Sequence, residues 1–378
     1  MLKVAVIGGL GCGKTTALTS LLSQLRSGSL SEYLVIEDRT SLRDVGISLT
    51  VKDLEIRCVL ESVSSDKICI PRRHPSAQME HYKFKFRLPG ANLNFDIEFI
   101  EIPGSMLNFG THYYEIRHII QNVDVIMIAI ETPYLMGSIE SSSKDLCTEQ
   151  INIGVNRINE IKDLLTYVEG DGEKTKMIVF TPLKCERWAK ESGGLDKVTN
   201  RVKEVFSSSI QHLSSIDKLD MLIIPMQTSG NILFAEFREA YIYDSTEGPV
   251  ECCRISKDII RTYDGEFHMC LPGEKIYQNP EYVIFGTNLF RPSCWYIIDT
   301  ANNSYAPHNC DQLVFHILRF VIESFKVGES EKSFMRGNKY KEWLGTVNIK
   351  DLENVYFKLQ MNGDVKENVD GIEIIKKL

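Results

Sequence analysis

The sequence predicts an α/β protein built on a mainly parallel sheet. Short apolar runs rich in β-branched residues recur at residues 2–7, 123–130, 176–180 and 221–224. Segments with apolar residues at helical spacing lie between them, at residues 105–121, 150–168 and 195–213. A strand that is buried on both faces is a continuous apolar run, and parallel strands are joined by crossovers that are usually helices. The alternation of the two patterns therefore indicates an α/β sheet.

The composition excludes several classes of protein. The chain has 378 residues, of which 43% are hydrophobic and 25% are charged, as in ordinary globular domains. Lys and Arg number 43 against 51 Asp and Glu, so the net charge is −8. This acidic balance argues against a nucleic-acid or anionic-membrane binder. No apolar run approaches the ~18 residues that span a bilayer, and no secretion signal is apparent, so we expect a cytoplasmic protein.

A glycine-rich motif directly follows the first apolar run. Residues 8–16 read GGLGCGKTT and satisfy G-x-x-x-x-G-K-[ST] in full, with helical spacing after them. Such a loop turns its backbone N–H groups toward phosphate oxygens, and the following helix adds partial positive charge. The predicted phosphate-binding residues are Gly8, Gly11, Cys12, Gly13, Lys14, Thr15 and Thr16. Lys14 is expected to reach the β- and γ-phosphates and to act in catalysis, and the Thr15 hydroxyl to bind Mg²⁺.

The same loop suggests a reactive thiol. Cys12 lies just before the predicted helix, and helix N-termini favour the thiolate. We therefore expect the empty loop to lower the pKa of Cys12.

A second strand ends in a turn that suits a metal ion and a phosphate. Apolar and polar residues alternate through residues 92–102, and Pro103 and Gly104 supply turn chemistry. Residues 81–88 alternate as well and are expected to pair with this strand. Glu101, at the end of the strand, can hold a Mg²⁺-bound water, and the Gly104 N–H can meet a γ-phosphate.

In order and spacing these motifs resemble a Ras-like GTPase domain of the translation-factor-related class, and more loosely the bacterial double-GTPase families of predicted conflict systems. Glu101-Ile102-Pro103-Gly104 resembles the Asp-x-x-Gly turn with Glu for Asp. Leu183-Lys184-Cys185-Glu186 resembles the base-reading motif, with Leu for Asn and Glu for Asp. Thr228-Ser229-Gly230 has the position of the last loop. The resemblance implies a Ras-like three-layer sandwich that binds GTP, GDP and Mg²⁺.

The resemblance also implies roles for single residues. Lys184 would lay its stem over the base, Glu186 would accept the guanine N1–H and amine, and Ser229 would lie in the closing loop. Ser76 has the position of the switch residue that completes the Mg²⁺ shell, so Thr15, Ser76 and Glu101 are the predicted metal ligands. The substitutions in the base motif leave a P-loop ATPase or kinase as an alternative.

The residues that follow Gly104 predict slow hydrolysis. The family often has a water-orienting Gln there, whereas this chain has Ser-Met-Leu. Ser105 and His112 are the candidate substitutes. We expect a nucleotide-controlled switch whose hydrolysis is raised by a protein partner or by self-association. A non-hydrolysing nucleotide-binding assembly module is the other alternative.

The predicted domain organisation follows from these assignments. Residues 1–230 form the GTPase-like domain, with a long switch-region insertion at about residues 30–80. Short strands at 241–243, 250–255, 282–285 and 294–298, separated by Gly and Pro turns, predict a β-rich insertion over residues 231–308. An amphipathic helix at residues 309–327 closes the domain, and residues 328–378 form a C-terminal extension with a helix near residues 350–361.

Overall fold

The computed structural model describes most of the chain, with gaps inside both predicted insertions. The described residues are 1–41, 44–45, 48–53, 68–69, 78–88, 93–107, 112–139, 147–168, 175–238, 241–245, 248–254, 259–261, 267–269, 276–277, 293–299, 304–330 and 349–378. The predicted metal ligand Ser76 and the predicted strand at residues 282–285 lie outside them.

An eight-stranded sheet forms the centre of the molecule. Its strands are β1 (Leu2–Gly8), β2 (Val35–Asp38), β4 (Glu80–Leu88), β5 (Leu93–Glu101), β6 (Val125–Glu131), β7 (Lys176–Leu183), β8 (Leu219–Ile223) and β16 (Glu373–Lys376). They lie in the order β16-β8-β7-β6-β1-β5-β4-β2. The run from β5 to β8 is parallel, whereas β4 on β5, β2 on β4 and β16 on β8 are antiparallel. The predicted α/β architecture with a mainly parallel sheet is confirmed.

Helices cover both faces of this sheet. They are α1 (Lys14–Ser27), α2 (Leu30–Tyr33), α3 (Tyr113–Asn122), α4 (Thr132–Gly137), α5 (Glu149–Asn156), α6 (Ile158–Leu165), α7 (Glu186–Ala189), α8 (Gly194–Val205), α9 (Ser207–Ser214), α10 (Gln312–Ser330) and α11 (Ile349–Met361). Alternate residues of each strand serve the two cores, as a period of two requires. On β1, Val4 and Val6 pack with α1, α10 and α11, while Ala5 and Ile7 pack with α3, α6 and α8.

Three predicted helices differ in their bounds. Residues 150–168 form two helices, because Arg157 between them has a left-handed backbone with φ of 53°. Residues 195–213 are likewise divided, at Phe206. The helix predicted from residue 105 begins only at Tyr113, and Gly104–Leu107 forms a separate 3₁₀ turn.

Short strands follow the last loop of the sheet. Strand β9 (Ile232–Arg238) pairs with β15 (Ser293–Ile298), which also pairs with β3 (Ile68–Cys69) from the predicted switch-region insertion. The other strands are β10 (Tyr241–Ser245), β11 (Gly248–Arg254), β12 (Ile259–Arg261), β13 (Phe267–Met269) and β14 (Ile276–Tyr277), which form a second small sheet.

The segments that precede β9 and follow β15 lie side by side. The Asp299 N–H donates to the Asn231 carbonyl at 2.8 Å, and the Ala306 N–H donates to the Ser229 carbonyl at 3.0 Å. Gln227 and His308 then exchange two backbone hydrogen bonds. The segment that returns to α10 therefore runs alongside the loop that follows β8.

A buried ion pair joins β8 to α10. Asp220 is fully buried and Arg319 is 3% exposed, and the guanidinium donates to the Asp220 carboxylate at 2.6 Å. A second guanidinium nitrogen donates to Glu323 at 3.3 Å, one turn further along the helix. Burial raises the pKa of Asp220, and the charge of Arg319 opposes that rise.

Among the described residues, no helix is long and apolar enough to cross a membrane.

His316, on the same helix, is expected to make the fold sensitive to acid. Its buried ring contacts the Lys366 carbonyl through Nε2 at 3.0 Å, and burial lowers its pKa from 6.5 to about 4. The unfolded chain therefore takes up this proton near pH 6.5 and the folded chain only near pH 4, so stability falls as the pH drops between them. The loss is about 3 kcal/mol.

The variant His316→Gln keeps a donor for the Lys366 carbonyl but does not titrate. We expect urea unfolding at pH 7 and pH 4.5 to show a smaller loss of stability on acidification for this variant than for the unmodified chain. An equal loss in both would contradict the assignment.

Candidate functional site

The glycine-rich loop links the carboxyl end of β1 to α1. Gly11 and Gly13 have left-handed backbones, with φ of 67° and 104°, a conformation that a side chain disfavours. Lys14 is buried, and its ammonium donates to the Gly8 carbonyl at 3.1 Å and the Gly9 carbonyl at 3.2 Å. The charged end of Lys14 thus lies over the loop, where a phosphate group would compete for it.

Two close backbone contacts hold this loop. A Cβ atom on Gly9 would overlap the Val155 carbonyl oxygen at the end of α5. A Cβ atom on Gly104 would overlap the backbone of Gly9 and Leu10. The turn that follows β5 therefore touches the loop, so the structure brings the predicted γ-phosphate contact Gly104 to the predicted phosphate-binding residues.

Thr15 and Glu101 meet beside the loop. The Thr15 hydroxyl lies 2.7 Å and 2.8 Å from the two Glu101 carboxylate oxygens. Glu101 is 5% exposed, and burial raises its pKa, while Lys14 and the Thr15 hydroxyl act in the opposite direction. A hydroxyl and a carboxylate are ligands that suit Mg²⁺, which keeps several waters and takes its remaining ligands from substrate phosphates.

A metal ion here would depend on those further ligands. Within the described ranges, no group of three or more His, Cys, Asp or Glu side chains is placed to hold a metal ion. Thr15 and Glu101 fit Mg²⁺ as two ligands of a site that a bound nucleotide would complete.

The expected activation of Cys12 is wrong. Its side chain is completely buried, and burial raises the pKa of the thiol. The nearby charges of Lys14 and Lys184 lower that pKa, but by less than burial raises it. The free-energy cost of burying a thiolate exceeds the stabilisation that the helix N-terminus and the two ammonium groups give it. Cys12 is therefore a packed, protonated thiol.

Lys184 lies beside the glycine-rich loop, and its ammonium is paired with a carboxylate. Its backbone has φ of 63°, its Cε atom lies next to Gly13, and its ammonium is 2.6 Å from a Glu131 carboxylate oxygen. Glu131 ends β6 and is 1% exposed. Asn156 holds its backbone, accepting from the Glu131 N–H at 2.6 Å and donating to the Glu131 carbonyl at 3.3 Å.

Glu131 was not among the residues predicted for the site. Its signal in the sequence is a single carboxylate at the end of the otherwise apolar run VIMIAIE. A charged residue in that place needs a partner, which only the tertiary structure identifies as Lys184.

Glu186 faces the loop that follows β8. It is 1% exposed, and its Oε1 accepts from the Ser229 N–H at 2.7 Å, the Ser229 hydroxyl at 2.9 Å and the Gly230 N–H at 3.3 Å. Burial raises its pKa, and these donors lower it. The structure therefore brings the predicted residues Glu186 and Ser229 together, with one Glu186 carboxylate oxygen hydrogen-bonded to the loop that follows β8.

The two predicted water-positioning residues, Ser105 and His112, are both exposed at the surface. Ser105 is exposed in the 3₁₀ turn, while its neighbours Met106 and Leu107 are buried. His112 is exposed at the start of α3, and its Nδ1 lies 3.2 Å from Glu115. In the part of the chain that the structure describes, Glu115 is the side-chain partner of His112, and it does not belong to the glycine-rich loop.

The fold and the loop together define an α/β protein with a complete phosphate-loop motif. No family model matches the chain, and no curated protein does. Among solved structures, the GTPase-like domain of S. cerevisiae Ski7, bound to GTP, is similar at 13% sequence identity, with 80% of this chain and 76% of that chain covered. The TM-score of this pair is 0.33, and a likeness at that level supports no inference about function.

Proposed function

We propose that this chain binds a guanine nucleoside triphosphate with Mg²⁺ and hydrolyses it slowly, as a nucleotide-controlled switch. The observation that carries the proposal is the contact of Thr15 with both oxygens of Glu101, next to the Lys14 ammonium. Hydroxyl, carboxylate and ammonium groups meet at the loop whose sequence satisfies the phosphate-binding motif.

The phosphate chain would lie along residues 8–16. Lys14 would exchange the Gly8 and Gly9 carbonyls for β- and γ-phosphate oxygens, which are stronger, charged acceptors. Thr15 and Glu101 would hold Mg²⁺, which neutralises charge on the phosphates. Gly104 would present its N–H to the γ-phosphate, and its close contact with the loop supports that position.

The base would lie near the carboxyl ends of β7 and β8, at the same edge of the sheet as the glycine-rich loop after β1. Lys184 lies beside Gly13, and Glu186 and Ser229 meet one strand further along the sheet. Glu186 would use its second oxygen for the guanine N1–H and amine, while Oε1 keeps the loop in place.

Slow hydrolysis follows from the side chains after Gly104. Phosphoryl transfer depends on a group that orients the attacking water and on charge that stabilises the transition state. Ser105 is short and exposed, and Met106 and Leu107 are buried and apolar. A protein partner or a second copy of the chain would supply what is missing.

One observation favours a second candidate function. Because Glu186 Oε1 is held by three donors, this carboxylate could serve only to fix the loop. The protein would then be a P-loop ATPase or kinase, or a module that binds nucleotide without hydrolysis.

Equilibrium binding of labelled GTP, GDP and ATP with Glu186→Gln separates the two functions. Glutamine keeps an acceptor for Ser229 and Gly230 but loses the second carboxylate acceptor. We expect this variant to lose about 10-fold or more in GTP affinity, the effect of one charged hydrogen bond, with ATP binding unchanged. Glu191→Gln, a surface carboxylate near Arg187, is the matched control.

The outcomes are distinct. Equal binding of GTP and ATP by the unmodified chain, with no effect of Glu186→Gln, would remove the guanine assignment and favour the ATPase candidate. Failure to bind any of the three nucleotides would remove the proposed function as a whole.

A further inference from the structure

A second carboxylate lies opposite Glu101. Strands β4 and β5 are antiparallel, and Glu80 is the direct cross-strand partner of Glu101. Directly opposed residues project on the same face, with Cβ atoms about 5 Å apart. Glu80 is 9% exposed, so both carboxylates are largely withdrawn from water.

Lys52 compensates Glu80 in this structure. Residues 49–53 form a helical turn, from which the Lys52 ammonium reaches a Glu80 carboxylate oxygen at 3.2 Å and the Tyr82 hydroxyl at 2.9 Å. The Tyr82 hydroxyl also donates to Glu80. Among the described residues, Lys52 is therefore the cation that pairs with Glu80, whereas the Lys14 ammonium is held by the loop carbonyls.

Glu80 and Lys52 place opposite charges beside Glu101. Glu80 faces Glu101 across the paired strands, and the Lys52 ammonium lies 3.2 Å from a Glu80 carboxylate oxygen. A divalent cation that arrives at Thr15 and Glu101 would experience both charges. Glu80 would attract it, and Lys52 would repel it and compete for Glu80.

We propose that Glu80 is an outer carboxylate of the divalent-cation site and that Lys52 is a built-in competitor of the cation. The inference rests on the proposed function, in which Mg²⁺ binds at Thr15 and Glu101. Neither residue belongs to the phosphate-loop motif or to the turn at Glu101. Their position beside the cation follows from the register of β4 on β5 and from the helical turn at residues 49–53.

The test is the release of fluorescently labelled GDP from the protein as a function of buffered Mg²⁺ concentration. The Mg²⁺ concentration at the midpoint of the change in the GDP release rate reports the affinity of the site for the cation. We expect Glu80→Gln to raise this midpoint by about 10-fold, as the loss of outer-shell partners does in metal sites. We expect Lys52→Met to lower it several-fold, and Lys52→Arg to restore the wild-type value because the charge returns.

Glu98→Gln is the matched control. Glu98 lies on β5, as Glu101 does, but on the opposite face of the sheet. It is as buried as Glu80, and its carboxylate lies 3.2 Å from His81. Its midpoint should equal that of the unmodified chain. Release in EDTA should be the same in all variants, and thermal unfolding confirms that each is folded.

The sign of the Lys52 effect decides the inference. A merely structural role predicts that Lys52→Met and Glu80→Gln both raise the midpoint, and that result overturns the proposal. Midpoints equal to that of Glu98→Gln would also overturn it while leaving the proposed function intact. If the unmodified chain shows no Mg²⁺-dependent retention of the nucleotide, the metal step of the proposed function fails, and this inference fails with it.

Discussion

Replacement of Arg319 by Met is expected to lower the free energy of unfolding by about 3–5 kcal/mol. The substitution leaves the Asp220 carboxylate fully buried without its cation, although methionine fills much of the space. An uncompensated buried charge costs more than the pair itself contributes, so the penalty arises mainly from Asp220. Urea unfolding at pH 7 measures the change.

The double variant Asp220→Asn/Arg319→Met is the control for that explanation. It removes the charge that the single variant leaves behind, so most of the lost stability should return. Arg201→Met, which affects a buried arginine whose partners Glu149 and Glu204 are exposed, should cost clearly less. A loss below about 1 kcal/mol for Arg319→Met would show that the pair is not the determinant described here.

The variant Lys14→Ala is expected to weaken the binding of GTP and GDP by about 100-fold or more. It removes the ammonium that would donate to the β- and γ-phosphates, and each charge-assisted hydrogen bond contributes about 1.5–3 kcal/mol. Two such bonds lost together account for the expected effect. Isothermal titration with Mg²⁺ present gives the affinity directly.

Guanosine and a surface variant complete the experiment. A nucleoside has no phosphates, so its weak binding should be the same with Lys14→Ala. Lys203→Ala, which removes an ammonium paired with Glu373 on the edge strand β16, should leave nucleotide binding unchanged. Normal GTP affinity in Lys14→Ala would show that the glycine-rich loop is not the phosphate site.

The buried strands could be predicted because each is a continuous apolar run. Apolar runs such as VIMIAI coincide with strands β1, β6, β7 and β8. Both faces of these strands are covered, so nearly every residue in them is apolar. The edge strands have no such pattern. Strand β16 reads Glu-Ile-Ile-Lys and is only half-buried, so nothing in its composition distinguishes it from a loop before its pairing with β8 is known.

The conformation of the glycine-rich loop could be predicted for a different reason, because it depends on local sequence. Gly11 and Gly13 have the left-handed backbones that the motif requires, and Thr15 follows them directly. The orientation of Glu186 and the pairing of Glu80 with Lys52 depend on residues distant in the chain. Periodicity and local spacing carry no information about such contacts, so only the structure identifies them.

The hydrogen bond between Asn231 and Asp299 has a consequence for how such a chain changes over evolution. Because the two ends of the intervening segment are already neighbours, its length has little effect on the path of the flanking chain. Strands β9 and β15 pack into the core through Phe234, Phe237 and Tyr296 and have to be kept. The segment between Arg238 and Ser293, which pair across these two strands, could thus be shortened, extended or exchanged for another module while the loop after β8 and α10 keep their places. The junction is a natural site for domain insertion, and related chains can be expected to carry different modules there.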